Sequence, residues 1–227
     1  MTAIIKKEIK SYLLTPIGYV FIGLFLLMSS IFFYLDVYMY SNTNFQNMFF
    51  SVSTILTFLI PILTMRMFAE ERKNGTEILL YTSPRSITSI VLAKFLSGTI
   101  IIIVCEICTL LYYIILMYFG NPHALSSFIT LFGFLLLAMS YISFGMFASS
   151  LTENQIIAGV ITMAGLILLW FLPSFFPQTN IFSLINVFCN TFPQGIITIQ
   201  GVVLLVSFTV LFNILTIINI ARRKSIK

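Results

Sequence analysis

Charged side chains are scarce in this sequence: Asp, Glu, Lys and Arg make up 8% of 227 residues, while 59% are hydrophobic. That leaves too little polar surface to cover a water-soluble globule of this length, which excludes a soluble enzyme or a soluble nucleic-acid-binding domain. Histidine occurs once. His123, in "GNPHAL", has no carboxylate or cysteine cluster beside it, so it reads as a surface residue and not as a metal ligand or catalytic base. Three cysteines define no disulfide framework. Cys105 and Cys108 stand i, i+3 inside an apolar run, where small packing residues are expected, and Cys189 is alone. The sequence contains no G-x-x-x-x-G-K-[ST] phosphate loop, and its polar segments are too short for a nucleotide-binding domain. Repeats and low-complexity tracts are also missing.

What is present is long apolar runs. A hydrocarbon core of about 30 Å needs about 20 apolar residues per helical span, and unpaired backbone groups are so costly there that spans must be helices or a closed barrel. The runs are continuous and do not alternate with period two, which selects helices. Six runs qualify, at about 17–40, 48–68, 90–119, 127–150, 155–173 and 199–221. The fold class is therefore an all-α integral membrane protein with six transmembrane helices, the whole of 1–227 forming one transmembrane domain. Lys6, Lys7, Glu8 and Lys10 precede a first run that is longer than a signal-peptide core and lacks a small-residue cleavage site, so this span is expected to be retained.

Basic residues orient the chain. All 12 Lys and Arg fall before span one, between or at the ends of spans two and three, or after span six. The segments joining spans one to two, three to four and five to six carry none, so the positive-inside rule places both termini and the 69–89 segment in the cytoplasm, with the protein in the cytoplasmic membrane. The net charge of +5 then reports topology, not nucleic-acid binding.

Local patterns add detail. Residues 2–14 form an amphipathic helix, with Ile5, Ile9, Tyr12 and Leu13 on one face and Lys6, Lys7 and Lys10 on another, suited to lie as an elbow against membrane lipid. Pro61 removes a backbone donor from span two and is expected to kink it. Span three covers about 45 Å at 1.5 Å per residue and must tilt or project beyond the bilayer. Gly145, Ala148, Ser149 and Ser150 permit close helix approach at the end of span four. Segment 174–198 is aromatic but interrupted by Pro177, Asn180, Asn186, Asn190 and Pro193, which predicts an interfacial or re-entrant helix on the outer face.

The stretch "FAEERKNGTEILLYTSP" interrupts the apolar pattern. Asn74 followed by Glu77 resembles a capping box, and Pro84 forces Ser83 out of helical geometry, which predicts a short helix from Gly75 to Thr82. So short a helix is marginal alone, and its Ile78, Leu79 and Leu80 need a surface to dock on. The inner ends of the protein's own spans and a separate cytoplasmic subunit are both candidates, and an ordinary loop with a solvated charge run is the third reading.

"TMRMFAEERKNGTEILLYTSPRSITSIVLAKFLSG" resembles the segment between the second and third spans of ABC type-2 export permeases, where "AEE+xxGTxExLLxSP" precedes the third span. "KKEIKSYLLTPIGYVFIGLF" and "ISFGMFASSLTENQIIAG" are similar to the branch containing the gliding-motility-type and nitrous-oxide-reductase-maturation permeases. The pattern departs where Ile78 follows Glu77, since many relatives read Leu-Glu-Leu. The resemblance implies that the 69–89 segment is a coupling region seated in an ATP-binding subunit, with Gly75, Thr76, Glu77, Leu79, Leu80, Ser83 and Pro84 forming a coupling helix. Glu70, Glu71 and Arg72 would cap span two and offer charge pairs to that partner. It also implies that ATP and Mg are bound by the partner and no cofactor by this chain, and that a second copy or a homologous permease completes the pathway.

Within the spans, Glu106 is an expensive group. It faces either the transport pathway or a dimer interface, handling cargo or protons, or it locks helix packing through a hydrogen bond to a neighbouring Thr or Asn. Asp36, near the outer end of span one, reads as a solvated charge. Two other function classes compete. A membrane-embedded hydrolase, suggested by Glu70-Glu71, lacks the histidines it needs within the spans, and an ion-coupled carrier would show broken spans in both halves and several intramembrane charges.

Overall fold

The computed structural model describes residues 2–39, 45–77, 86–119, 122–176 and 183–226. Every regular element among them is helical. An N-terminal helix α1 (Thr2–Leu14) turns at Thr15 into α2 (Pro16–Tyr34), which continues through a π-helical turn at Leu35–Met39. Pro16 suits the first helical position because its missing N–H has no partner there in any case. Then follow α3 (Phe45–Thr64), the short α4 (Ala69–Lys73), α5 (Ile87–Phe119), α6 (Ala124–Leu151) and α7 (Gln155–Phe175). A short helix α8 (Leu184–Thr191) and a single 3₁₀ turn (Phe192–Gln194) lead to α9 (Ile199–Ile226). Six stretches are long and apolar enough to cross a membrane: Pro16–Met39, Phe45–Lys73, Ile87–Tyr118, Ala124–Leu151, Gln155–Phe175 and Ile199–Lys224. They coincide with the six apolar runs of the sequence. The protein is a multi-pass membrane protein.

The bundle is built around α3 and α6, the two most enclosed spans. α6 packs on α3, α5, α7 and α9, while α2 packs on α3 and α5. Phe134 of α6 is the aromatic centre, with ring centroids 6.0 Å from Phe25 of α2, 5.0 Å from Phe49 of α3 and 6.1 Å from Phe188 of α8. Tilted and edge-on pairs at these separations add attraction beyond simple burial. Small hydroxyls fasten the helices elsewhere. Ser140 donates to Leu205 O of α9 (3.0 Å), and Ser30 of α2 meets the Tyr112 hydroxyl of α5 at 2.6 Å. Lipid gives no hydrophobic drive for helices to associate, so close packing and such bonds carry the association.

Three expectations change in detail. α3 runs through Pro61 as helix, and the chain departs from helical geometry only after Thr64, resuming at Ala69. The helix expected from Gly75 cannot begin there: Asn74 is the C-cap of α4 and Gly75 has φ +70°, a left-handed conformation that ends a helix. The next helical residue is Glu77, and the remainder of the expected coupling helix, 78–85, lies outside the described residues. On α1 the buried stripe is Glu8 and Tyr12, whereas Leu13 is exposed.

Segment 174–198 is described in part, 177–182 lying outside. Its helix α8 buries Leu184, Ile185 and Phe188 against the bundle, and Phe192 O accepts from Thr130 of α6 (3.3 Å). It is inserted among the span ends on the side opposite the lysines and arginines.

Gly145 lies where α6 crosses α3, and a Cβ there would overlap the Thr64 hydroxyl and reach Thr162 of α7. Replacing Gly145 with Leu should therefore lower stability by about 1–3 kcal/mol, the usual cost of overpacking, seen as a lower thermal midpoint of the purified protein in detergent.

Candidate functional site

All described lysines and arginines gather at one end of the bundle, the basic end, formed by α1, the α3–α4 break, the start of α5, the α6–α7 turn and the end of α9. Its centre is Lys94. This residue sits on α5, only 2% exposed, inside the apolar context "SIVLAKFLSG". Its Nζ lies 3.0 Å from Glu71 Oε1 on α4 and 3.2 Å from Glu8 Oε1 on α1, and 5.2 Å from the centroid of the Phe68 ring. Lys7 Nζ approaches the same carboxylates at 3.7 Å (Glu71) and 3.9 Å (Glu8). Two cations thus face two carboxylates, and the cluster is neutral as a unit. A lone ammonium this deep would be prohibitive, whereas mutual attraction at low dielectric offsets the desolvation. Tyr12, one turn beyond Glu8, is buried beside the cluster, and burial, reinforced by the Glu8 charge, pushes its phenol well above the usual range.

Three further ion pairs involve α4. Arg66 holds Glu70 in a two-point clasp, Nε to Oε2 and Nη2 to Oε1, both 2.6 Å. Arg72 Nη2 donates to Glu153 Oε1 in the α6–α7 turn at 2.7 Å, and its Nε lies 3.9 Å from Glu77 Oε2. The break between α3 and α4 would leave backbone groups unsatisfied at the edge of the bilayer. Ser149 of α6 fills it: its hydroxyl accepts from Phe68 N and Ala69 N and donates to Met65 O, each at 3.1 Å. One residue on, Asn219 of α9 donates to Ser150 O (3.0 Å) and Ser150 Oγ (2.9 Å). A cleft of about 450 Å³ opens beside this network, lined in part by Lys7, Glu8, Arg66, Glu70, Glu71 and Asn74.

The sequence-predicted residues divide accordingly. Glu70, Glu71, Arg72 and Glu77 come together, but their charges are engaged within the chain. Glu71 Oε2 and Arg72 Nη1 are enclosed with no hydrogen-bond partner among the described residues. Thr76 donates to Glu71 O at 3.2 Å, and Gly75 turns the chain after α4. Leu79, Leu80, Ser83 and Pro84 lie outside the described residues. Glu106 is far from this network, buried on α5 along the stripe of Ile102, Cys105 and Thr109; its Oε1 has no hydrogen-bond partner among the described residues. The expected lock onto a neighbouring Thr or Asn is not seen at that atom. Asp36 is half-buried with Oδ2 enclosed, not the solvated charge expected, and His123 is exposed. Among the described residues no group of three or more His, Cys, Asp or Glu could hold a metal ion.

Glu8, Lys94 and Glu153 were given no site role by sequence reasoning, and Ser149 only a packing role. Lys94 carried a usable signal: a cation within an apolar span demands a carboxylate partner.

The fold and site define a six-span helical membrane bundle with an ion-paired segment between its second and third spans. The sequence profile of the ABC-2 family transporter proteins matches residues 2–223, and the chain belongs to that family. It is a membrane permease component of an ABC transporter, and family membership implies an ATP-binding partner and typically a dimeric assembly. No curated protein matches the sequence.

Replacing Lys94 with Met strands two largely buried carboxylates and should cost about 3–5 kcal/mol. A Glu8→Gln, Glu71→Gln, Lys94→Met triple variant should recover much of that loss, because it removes the uncompensated charge along with the pair. Thermal unfolding of the three purified proteins measures both steps.

Proposed function

We propose that this chain is the permease subunit of an ATP-driven exporter in the cytoplasmic membrane, with its basic end in the cytoplasm and the 69–89 segment seated on a separate ATP-binding subunit that holds ATP and Mg. The observation that carries the reading is the mechanical connection of that segment. α4 is joined by ion pairs to α1 (Glu71–Lys7), α5 (Glu71–Lys94) and the α6–α7 turn (Arg72–Glu153), and by Ser149 to α6. A displacement applied to α4 therefore reaches four elements, three through ion pairs and α6 through the neutral Ser149 hydroxyl. An ordinary solvated loop would need no such anchoring.

Mechanistically, closure of the partner on ATP would push the segment as a rigid lever, and the neutral cluster would keep α1, α4 and α5 together through the movement. Arg72 Nη1 and Glu71 Oε2, enclosed without a hydrogen-bond partner among the described residues, are the groups best placed to exchange partners as it proceeds. Leu79 and Leu80 supply the apolar contact and the surrounding charges its rim, the usual composition of an interface. The pathway lies between two permease copies or between this chain and a homologous permease. The gliding-motility-type and nitrous-oxide-reductase-maturation-type branch remains the assignment that the sequence pattern favours.

Aspartate at both Leu79 and Leu80 should abolish co-purification with the ATP-binding subunit and stimulation of its ATPase. Unchanged pull-down and ATPase rates would overturn the coupling assignment. Glu106, buried and unpaired at Oε1, is proposed to serve the pathway. Glu106→Gln should alter transport across a pH series in reconstituted vesicles, and identical profiles would leave it a packing residue.

A further inference from the structure

The end of the bundle opposite the lysines and arginines holds a second feature that the coupling mechanism does not use. Between α8 and the start of α9 lies a cavity of about 260 Å³, whose lining residues are the polar Asn186, Asn190, Thr191, Thr198 and Gln200 together with Val187, Gly201 and Leu204. Its lining contains no charged side chain. Gln200 and Leu204 also line a second cavity of about 560 Å³, a groove between α7 and α9 walled by Leu169, Val203, Phe208 and Leu211 among others. The two are therefore adjacent, sharing Gln200 and Leu204, a cup with polar lining residues beside an apolar trough, and the trough runs along residues of membrane-spanning helices. Its volume falls within the range of about 300–1,000 Å³ common to small-molecule sites.

This juxtaposition restricts the occupant. The trough is walled by apolar side chains at the depth of the hydrocarbon, so what fills it is a hydrocarbon chain. The cup offers donors and acceptors together: Asn and Gln amides do both, as do Thr hydroxyls. It offers no cation to neutralise a phosphate and no carboxylate to hold an amine. A head group rich in hydroxyls, which both donates and accepts, satisfies such a set, whereas an anionic head group would be desolvated there without charge compensation. Thr191 and Thr198 are already oriented by the fold, Thr191 donating to Val187 O (2.7 Å) and Thr198 Oγ1 accepting from Gly201 N (3.3 Å), so the cup is preformed in part.

We infer that the α7–α8–α9 cleft is a binding site for a membrane lipid with an uncharged, hydroxyl-bearing head group, its head in the Asn190–Gln200 cup and one acyl chain in the Val203–Leu211 trough. In the orientation proposed above, this is an outer-leaflet lipid. Only that word depends on the functional reading; the site itself requires neither ATP nor the partner subunit.

The test uses the full-length chain purified alone in detergent and incubated with equal amounts of monoglucosyl diacylglycerol and phosphatidylglycerol, with retained lipid read by native mass spectrometry. The glucolipid should be retained in preference. An Asn190→Ala, Gln200→Ala variant should lose roughly tenfold in glucolipid retention, the effect of about two hydrogen bonds, with its thermal midpoint unchanged. Val203→Trp, on an exposed helix face, should fill the trough and reduce retention without touching the cup, which keeps the inference testable should the double variant fold poorly. Equal retention of the two lipids, preference for phosphatidylglycerol, or retention unaffected by filling the trough would each overturn the assignment. Because no ATPase is measured, failure here would leave the coupling assignment standing, and failure of the coupling variants would leave this site standing.

Discussion

Lys94 is the constraint around which the basic end is organised. An ammonium enclosed to 2% exposure must be met by carboxylates, and Glu8 and Glu71, both upstream in the sequence but on different helices, meet it. Once they do, the elbow helix is pinned to the third span and the segment after the second span is pinned to both. Arg66, Arg72 and Ser149 then continue the same logic outward, each satisfying a charge or backbone group that the break after Thr64 would expose. Such a buried cluster is weak evidence for stability, since an apolar replacement of the whole could serve as well. What an apolar replacement would not reproduce is directional, exchangeable contact between moving parts.

That distinction bears on function. Under the proposed coupling, a displacement must pass from a small contact with a separate subunit into several spans, and it must do so without losing register. Apolar packing resists small shifts but lets helices slide once the shift is large, whereas charge pairs with fixed partners hold the register. The far end shows the contrast. There, α8 is held by phenylalanine stacking and by neutral bonds such as Thr130 to Phe192 O, and no ion pair is described.

Spans and elbow were legible because they rest on local signals. Runs of apolar residues long enough for the bilayer can be read from the chain without knowing their neighbours, and Thr15-Pro16 marks the turn between α1 and α2. The Gly75 error has an equally local cause. Lys73-Asn74-Gly75 is a helix-stop signal and Asn74-x-x-Glu77 a helix-start signal, and they overlap. The stop prevails because Gly75 in the left-handed region also satisfies the α4 carbonyls, with Gly75 N donating to Arg72 O at 3.1 Å. Glu8, Lys94 and Ser149 were hidden for another reason. Glu8 meets Lys94, and Ser149 meets the break after Thr64, across 80 or more residues of sequence, and Lys94 meets Glu71 on a different helix; no periodicity encodes such contacts. Segment 174–198 fell between the two cases: its prolines and asparagines announced that it would not span, while only Phe134 at the bundle centre explains why its aromatic face turns inward.

The division of polar chemistry between the two ends follows from solvent as much as from role. Charges at the basic end are tolerable because they neutralise one another within a few ångströms, so that little field leaves the cluster to be screened. The far end has only amides and hydroxyls facing its cleft, groups whose burial costs far less than an ion's and is recovered bond by bond. A site made of such groups can accept and release a neutral, hydrogen-bonding molecule as the helices around it shift, without creating an unpaired charge in the membrane. The ion-paired end, by contrast, tolerates movement only if its members move together. Under the proposed coupling, a bundle whose ion pairs cluster at one end and whose other cleft is neutral can transmit a displacement through α5 and α6 without stranding a charge at either end.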